Sequence, residues 1–444
     1  MLEDTSGRRV WGPAAPDIAR PLIRPSALSM EENRSLLPVG LLPTLGVAWP
    51  VRVPGYDRLI RKLRNTFADV RVDTAVPGRP ADPVADVLLA PYDFRTGVAA
   101  SAAHVRGMVE ERLSGLSRKE RQNRLIVIGH SMGGLVARYW LGPLGGAEDC
   151  RALITVGTPH GGAPKALDLL AGGVRLGPRK LRNVTEVFRG WPSAYDLLPR
   201  FPAISGADGR VHYPKDLSEQ VFSGFAPAAS RAYSMHTDID SAWQQLDGRV
   251  DTVAVHGRGH ETLLGATLSP TGVSGTLAAP AGMPNPDWLG DGTVPAFGSI
   301  PADLADPRLW WPTAERHLPM ASASPVIELL RAYSGDTMAA VRGNEDDAVP
   351  GLGLDLEEFY PAGKEITISA RLAGAPDGER TKVWVSVRRT GCPAGEPVAA
   401  DRLDDRWVAM LDPLEAGEYT VTVEAVNVVG VGRLACTDLI GVYR

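Results

Sequence analysis

Cysteine is scarce, with three in 444 residues: Cys150, Cys392 and Cys436. That excludes a disulfide scaffold and a four-cysteine zinc site. Cys392 and Cys436 share the C-terminal region, but no spacing rule joins them. There is no apolar run of the roughly 18 residues that a bilayer span requires. The basic excess of a nucleic-acid binder is missing too, since the net charge is −5 and the isoelectric point about 6.0. Met1 to Arg9 has early acids and no apolar h-region, so it is not a signal peptide, and the chain as it stands is expected in the cytoplasm. What is present is ordinary for a globular protein: 44% hydrophobic and 22% charged residues, in a length that accommodates two or three domains.

No internal repeat or low-complexity tract interrupts the chain. Residues 1 to about 50 are rich in Pro and Gly and read as an irregular, wrapping segment. From about 55 to 335, short apolar runs alternate with helical patterns. Leu59, Ile60, Leu63 and Phe67 have helical spacing, as do Val98, Ala102, Val105, Val109, Leu113 and Leu116. Asp86–Leu89, Leu125–Ile128, Leu153–Val156 and Thr252–Val255 read as strands; Leu125–Ile128 is continuously apolar, and Leu153–Val156 and Thr252–Val255 nearly so, as in a sheet covered on both faces. The expected class is therefore α/β, a mainly parallel sheet flanked by helices, over residues 1–343. Residues 175–250 break the rhythm with Trp191, Tyr195, Phe201, Tyr213, Phe222, Phe225, Tyr233 and Trp243. Such an insertion is either a lid over a substrate or a helical subdomain with its own core. Asn344–Gly351 reads as a linker. Beyond it, period-2 alternation in Ile366–Ile368, Val383–Val387, Trp407–Leu411 and Tyr419–Val423 predicts an antiparallel, immunoglobulin-like β-sandwich over 350–444, a binding or stabilising module whose partner is unknown.

Residues 125–142 read Leu-Ile-Val-Ile-Gly-His-Ser-Met-Gly-Gly-Leu-Val-Ala-Arg-Tyr-Trp-Leu-Gly. They hold G-x-S-x-G as Gly129-His130-Ser131-Met132-Gly133, after a buried-strand run and before an amphipathic helix. This context fits a nucleophile elbow, a sharp turn that lifts the Ser131 hydroxyl off a strand end. Side chains at Gly129 and Gly133 are expected to clash across the turn, and Gly134 to let the helix pack closely. The Met132 N–H is then aimed at a developing oxyanion. A serine hydroxyl needs a base. In a Ser–acid–His chain order, His317 is the histidine late enough to follow an acid of its own, and Asp291, in the turn Gly290–Pro295, is that acid. His130 is expected to pack near the elbow and His160 to line the pocket. His256 and His260 have i,i+4 spacing but are followed by Gly257 or preceded by Gly259, which argues against a helical zinc pair. No metal or other cofactor is expected.

In order along the chain, several of these segments resemble the lecithin:cholesterol acyltransferase-like branch of the α/β-hydrolases. Ala90-Pro91-Tyr92-Asp93-Phe94-Arg95 is similar to the family's Tyr-Asp-Trp-Arg loop, with Phe94 in place of Trp. Gly129–Gly134 matches its elbow, Gly157-Thr158-Pro159-His160-Gly161-Gly162 its next loop, Ser193–Pro199 a segment of its cap, and Gly290–Pro295 its acid loop, with His317 in the histidine's place. The resemblance covers about residues 8 to 335. Family members begin with an apolar strand and a Pro-Gly loop that supplies a second oxyanion N–H. A segment like Arg8-Arg9-Val10-Trp11-Gly12 follows that loop, so the strand and the loop are expected to be missing here: either the true start lies upstream of Met1, which leaves localisation open, or the protein is truncated. The charge balance argues against nucleic acid as a partner, the triad residues point to acyl transfer through Ser131 to water or an alcohol, and the resemblance implies a lipid-like acyl ester as substrate. It puts Tyr92, Asp93, Arg95 and His160 near the substrate. Asp93 and Arg95 alternatively form an ion pair that braces their loop. Two other readings stay open: a non-catalytic scaffold on a degenerate hydrolase fold, and an amidase or peptidase of the same fold.

Overall fold

Aliphatic and β-branched runs form the centre of the N-terminal domain, seen in a computed structural model of the chain. The described residues are 1–444 except 14–23, 33–34, 43–44, 49–50, 54, 68, 81, 177–178, 218–220, 271, 335–350, 357–358, 374–377, 379, 390–391, 394, 405 and 444. Up to residue 350, the linker expected at 344–351 lies outside them. Strands β1 (Val72–Thr74) and β2 (Val87–Leu89) pair in parallel. Strands β3 (Ile126–His130), β4 (Ala152–Val156), β5 (Asp251–Gly257) and β6 (Trp310–Thr313) form a parallel sheet in the order β6-β5-β4-β3. All five residues of β4 are buried, as in a strand covered on both faces. Among the described residues β3 is an edge of this sheet.

Helices cover both faces. Five of the helices among the described residues frame the site and are labelled α1 (Asp57–Thr66), α2 (Val98–Leu113), α3 (Met132–Leu141), α4 (Phe225–Leu246) and α5 (Ser324–Ser334). The stripe Val98, Ala102, Val105 and Val109 of α2 is buried with Leu135 and Trp140 of α3 and Ile239 and Trp243 of α4. On the opposite side, Val326, Leu329 and Tyr333 of α5 pack on Ile154, Val156, Val253 and Val255. No helix among the described residues is long and apolar enough to cross a membrane.

The aromatic insertion packs inward. Tyr195 and Phe225 are buried with Leu167, Leu170, Ile204 and Ala266, with Phe188, Trp191, Phe222 and Tyr233 packed against them. These side chains share one cluster, while Tyr213 is exposed. The insertion also reaches past residue 250: one four-stranded sheet joins Ile204–Ser205 and Val211–His212 to Gly265–Ser269 and Gly272–Thr276. Asp196 ties it to the main domain by accepting a hydrogen bond of 2.7 Å from the Val98 N–H at the start of α2.

Among the described residues the C-terminal domain has eight strands: β7 (Gly351–Asp355), β8 (Phe359–Pro361), β9 (Ile366–Ala373), β10 (Lys382–Arg389), β11 (Val398–Leu403), β12 (Arg406–Leu411), β13 (Gly417–Val428) and β14 (Gly432–Tyr443). They hydrogen-bond in the order β7-β9-β12-β11-β10-β13-β14-β8. The strand β11 divides its pairing, Val398–Ala400 with β10 and Asp401–Leu403 with β12. One continuous sheet therefore curls round one core of Leu352, Ile368, Val385, Val423 and Val442, where two separate sheets were expected. All three cysteines are free.

Four of the buried histidines, His160, His236, His256 and His260, are held neutral. Burial, aided by nearby arginines, lowers His236 and His256 to about 3, while His160 and His260 are also driven down, chiefly by burial. On unfolding below pH 6.5 each takes up a proton, so the stability it contributes is complete above that pH and is lost as the pH falls toward its folded value. Asp196, raised to about 6 by burial, works the other way, favouring the fold as the pH falls below 6. The net expectation is a urea-unfolding midpoint that drops between pH 7 and pH 5, with up to ~1.4 kcal/mol per pH unit from each histidine. A level midpoint across that interval contradicts these buried neutral rings.

Candidate functional site

The chain leaves β3 through Ser131, whose φ of +54° and ψ of −132° place a non-glycine residue in a strained turn. Two contacts enforce the turn. A Cβ on Gly129 would lie 2.5 Å from the Gly134 Cα, and one on Gly134 would lie 1.9 Å from the Thr158 Oγ1. Gly133 differs from the expectation: a Cβ there meets the Tyr92 hydroxyl at 3.6 Å, an ordinary contact, so no clash across the turn requires glycine. The Ser131 N–H donates to the Val156 carbonyl at 2.9 Å, which pins the elbow to the end of β4. Met132 opens α3 directly after the serine.

From the other side, the loops after β5 and β6 bring in an acid and an imidazole. Asp291 is 1% exposed. Its Oδ1 accepts from the N–H groups of Thr293 (2.9 Å) and Val294 (2.7 Å), and its Oδ2 lies 2.7 Å from His317 Nδ1. Burial pushes this carboxyl up, but the imidazole and the two backbone donors outweigh it and hold it below its ordinary value. A carboxylate only accepts, so Nδ1 carries the proton and Nε2 is the free acceptor. The Ser131 hydroxyl donates to it at 2.8 Å. Asp291, His317 and Ser131 thus form one hydrogen-bonded chain.

Two residues beside this chain have contacts that the motif spacing did not reveal. His130 Nε2 donates to the His317 carbonyl at 2.8 Å, and the Tyr56 hydroxyl donates to His130 Nδ1 at 2.9 Å. Burial and the neighbouring His317 lower His130 to about 4, so it stays neutral and keeps both bonds. Tyr56 follows Gly55 just before α1, and nothing in that local sequence points across 74 residues to His130.

The four residues expected near the substrate are placed differently from one another. Tyr92 stands at the elbow beside Gly133, and burial raises its phenol so that it keeps its proton. Arg95 is 0% exposed; its guanidinium is bidentate on Asp93 and reaches the carbonyls of Leu28 and Ser29, both at 3.4 Å. That pair braces its loop. His160 is buried with its Nε2 unpartnered, near the charges of Arg138 and Arg200 and the ring of His236. A cavity of about 770 Å³, lined in part by Asp247, Asp251, Asp306 and Tyr333, contains none of Ser131, Asp291 or His317.

The family model of lecithin:cholesterol acyltransferase matches residues 81–233. Over that span the chain is similar to the lecithin:cholesterol acyltransferase family. The matched span holds Tyr92, the elbow and the 157–162 loop, while Asp291 and His317 lie beyond it. No curated protein matches the chain. Among solved structures, the Bacillus licheniformis lipase BlEst2 in its propeptide form aligns at 14% identity over 79% of this chain and 84% of that chain, with a TM-score of 0.33. Its mature form aligns at 12% identity over 55% and 76%, with a TM-score of 0.32. A superoxide reductase (neelaredoxin) of Ignicoccus hospitalis aligns at 13% identity over 21% of this chain and 80% of that one, with a TM-score of 0.18. At such TM-scores none of these superpositions carries an argument.

The two glycines of the elbow helix are expected to separate on substitution. Gly134→Ala should lower stability by ~1–3 kcal/mol, because its methyl enters Thr158. Gly133→Ala should stay within about 1 kcal/mol of the parent. Thermal unfolding of the two variants checks this, and equal losses contradict it.

Proposed function

We propose that the protein is a serine-dependent acyl-transfer enzyme acting on a lipid-like acyl ester. The observation that carries this reading is the Asp291–His317–Ser131 hydrogen-bonded chain ending at a positive-φ turn. In the reading, His317 Nε2 takes the Ser131 proton as the oxygen attacks the ester carbonyl carbon. Asp291 fixes the ring so that Nδ1 bears the other proton, and it stabilises the imidazolium that forms. The Met132 N–H, at the start of α3, donates to the tetrahedral oxyanion. His317 then protonates the departing alcohol, leaving an ester on Ser131. Water or a second alcohol, deprotonated by His317, attacks that ester; the bond to the Ser131 oxygen breaks, the acyl group leaves on the new oxygen, and His317 returns the proton to Ser131.

The lipid-like substrate rests on the family match over residues 81–233. Tyr92 is assigned to the substrate side of the elbow on its proximity to Gly133. Asp93 and Arg95 are assigned to bracing, since each is engaged by the other.

A fluorophosphonate probe, with the modified residue mapped by mass spectrometry, tests the nucleophile. Labelling is expected at Ser131, to vanish in Ser131→Ala, and to slow by ~10²–10⁴-fold in His317→Ala and Asp291→Asn. An unlabelled parent favours the scaffold. A panel of acyl esters and matching acyl amides then assigns the bond cleaved, and turnover of amides alone overturns the ester reading.

A further inference from the structure

The C-terminal sheet touches the N-terminal domain at the loops that carry Asp291 and His317. Arg316, the residue before His317, donates from Nη1 to the Leu356 carbonyl at 3.1 Å, and its Nε pairs with Asp438 of β14 at 3.1 Å. Both side chains of that pair are largely buried, at 18% and 13% exposure. The same guanidinium lies over the turn after Asp291, its Nη2 3.3 Å from where a Cβ of Gly292 would be. One strand-like step away, His260 exchanges backbone hydrogen bonds with Gly290 (3.0 and 3.2 Å). Its ring donates from Nε2 to the Ala314 carbonyl at 2.7 Å and accepts at Nδ1 from the Leu354 N–H of β7 at 3.1 Å. Gly353 sits so close to Gly259 that a Cβ on it would lie 1.9 Å from the Gly259 carbonyl oxygen. Arg406 of β12 pairs with Glu261 at 2.9 Å. These links converge on residues 259–261, 290–292 and 314–316, the segments that hold the acid and the imidazole.

We propose that the C-terminal β-domain positions the acid–histidine half of the site, with Arg316 as the positioning residue through which Asp438 and Leu356 act. This rests on the reading of Ser131, His317 and Asp291 as a working triad. The His317 N–H donates to the Asp291 carbonyl at 3.0 Å, so the two loops move as one unit. The unit is clamped from the C-terminal domain on one side, and from His130 on the other. Release of the Arg316 clamp lets the His317 ring leave the line between Asp291 and Ser131. A misplacement of about 1 Å can reduce a rate by ~10²-fold, so a partial release is expected to reduce it by ~10-fold.

The test uses the full chain and three variants: Asp438→Asn removes the charge, Asp438→Glu keeps it, and Glu415→Gln breaks the Arg389–Glu415 pair inside the β-domain. The first readout is the second-order rate of fluorophosphonate labelling, normalised to the folded fraction seen by near-ultraviolet circular dichroism. The second is the far-downfield proton resonance of the His317 Nδ1–H bond to Asp291, which a loss of general stability does not move in the folded fraction. The expected result is ~10-fold slower labelling and a weakened or shifted resonance in Asp438→Asn, with at least half the parent rate in Asp438→Glu and the parent rate in Glu415→Gln. Parent-like labelling and resonance in Asp438→Asn overturn the proposal, as does a rate loss that disappears on normalisation. A parent chain that neither labels at Ser131 nor shows the resonance overturns the triad reading itself, which separates the two failures.

Discussion

A carboxylate with 1% of its surface exposed must be met by donors, and Asp291 is met by two backbone N–H groups and one imidazole. Burying such a charge unpaired would shift it to its neutral form or destabilise the fold by several kcal/mol. The requirement organises what surrounds it. The turn 291–294 folds back on its own side chain to present Thr293 and Val294. Strand β5 ends at Gly257, where any Cβ would lie 2.5 Å from that of Asp291. The loop after β6 must deliver His317 at hydrogen-bond distance, and the orientation this imposes leaves Nε2 as the acceptor that Ser131 meets. A change at Asp291 therefore reaches the serine by way of a ring tautomer, without any direct contact.

The parts of this arrangement that local sequence dictates were legible. The run Leu-Ile-Val-Ile before Gly129 forms a strand, the stripe from Val98 to Val109 is buried on one helix face, and Ser131, Asp291 and His317 come together as their order and turn chemistry implied. What local sequence left out is tertiary. Tyr56 and Arg316 carry no motif, and their roles arise from partners 74 and 122 residues away, His130 and Asp438. Gly133 looked sterically necessary because it stands in the motif, yet the turn closes against Gly134 and Thr158, so the tight position is one residue further on. The split pairing of β11 escapes period-2 reasoning, since alternation gives each residue a face but not a neighbour. Asp93 and Arg95 read as ligands or, with preference, as a brace, and their burial against each other fits the brace.

His130 shows how one motif position serves two ends. The residue before the nucleophile leaves the strand on the side of the His317 backbone, so a donor there fixes the base's main chain while Ser131 meets its ring. Neutrality is what makes this possible. A protonated His130 would lose its acceptor for Tyr56 and, in the proposed mechanism, would bring a second positive charge near the His317 imidazolium.

The hydrogen bonds at this site close very large loops: 186 residues separate Ser131 from His317, and 187 separate His130 from the His317 carbonyl. Contacts of such long range form late, since chain entropy is lost before they contribute. On a ribosome the elbow is complete once β4 and the 157–162 loop have emerged, well before residue 317 is made. The growing polypeptide thus carries a strained but inert hydroxyl through most of its synthesis. Under the proposed acyl-transfer function, the cell is not exposed to a half-built centre, because the group that would activate the oxygen is among the last pieces of the domain to arrive.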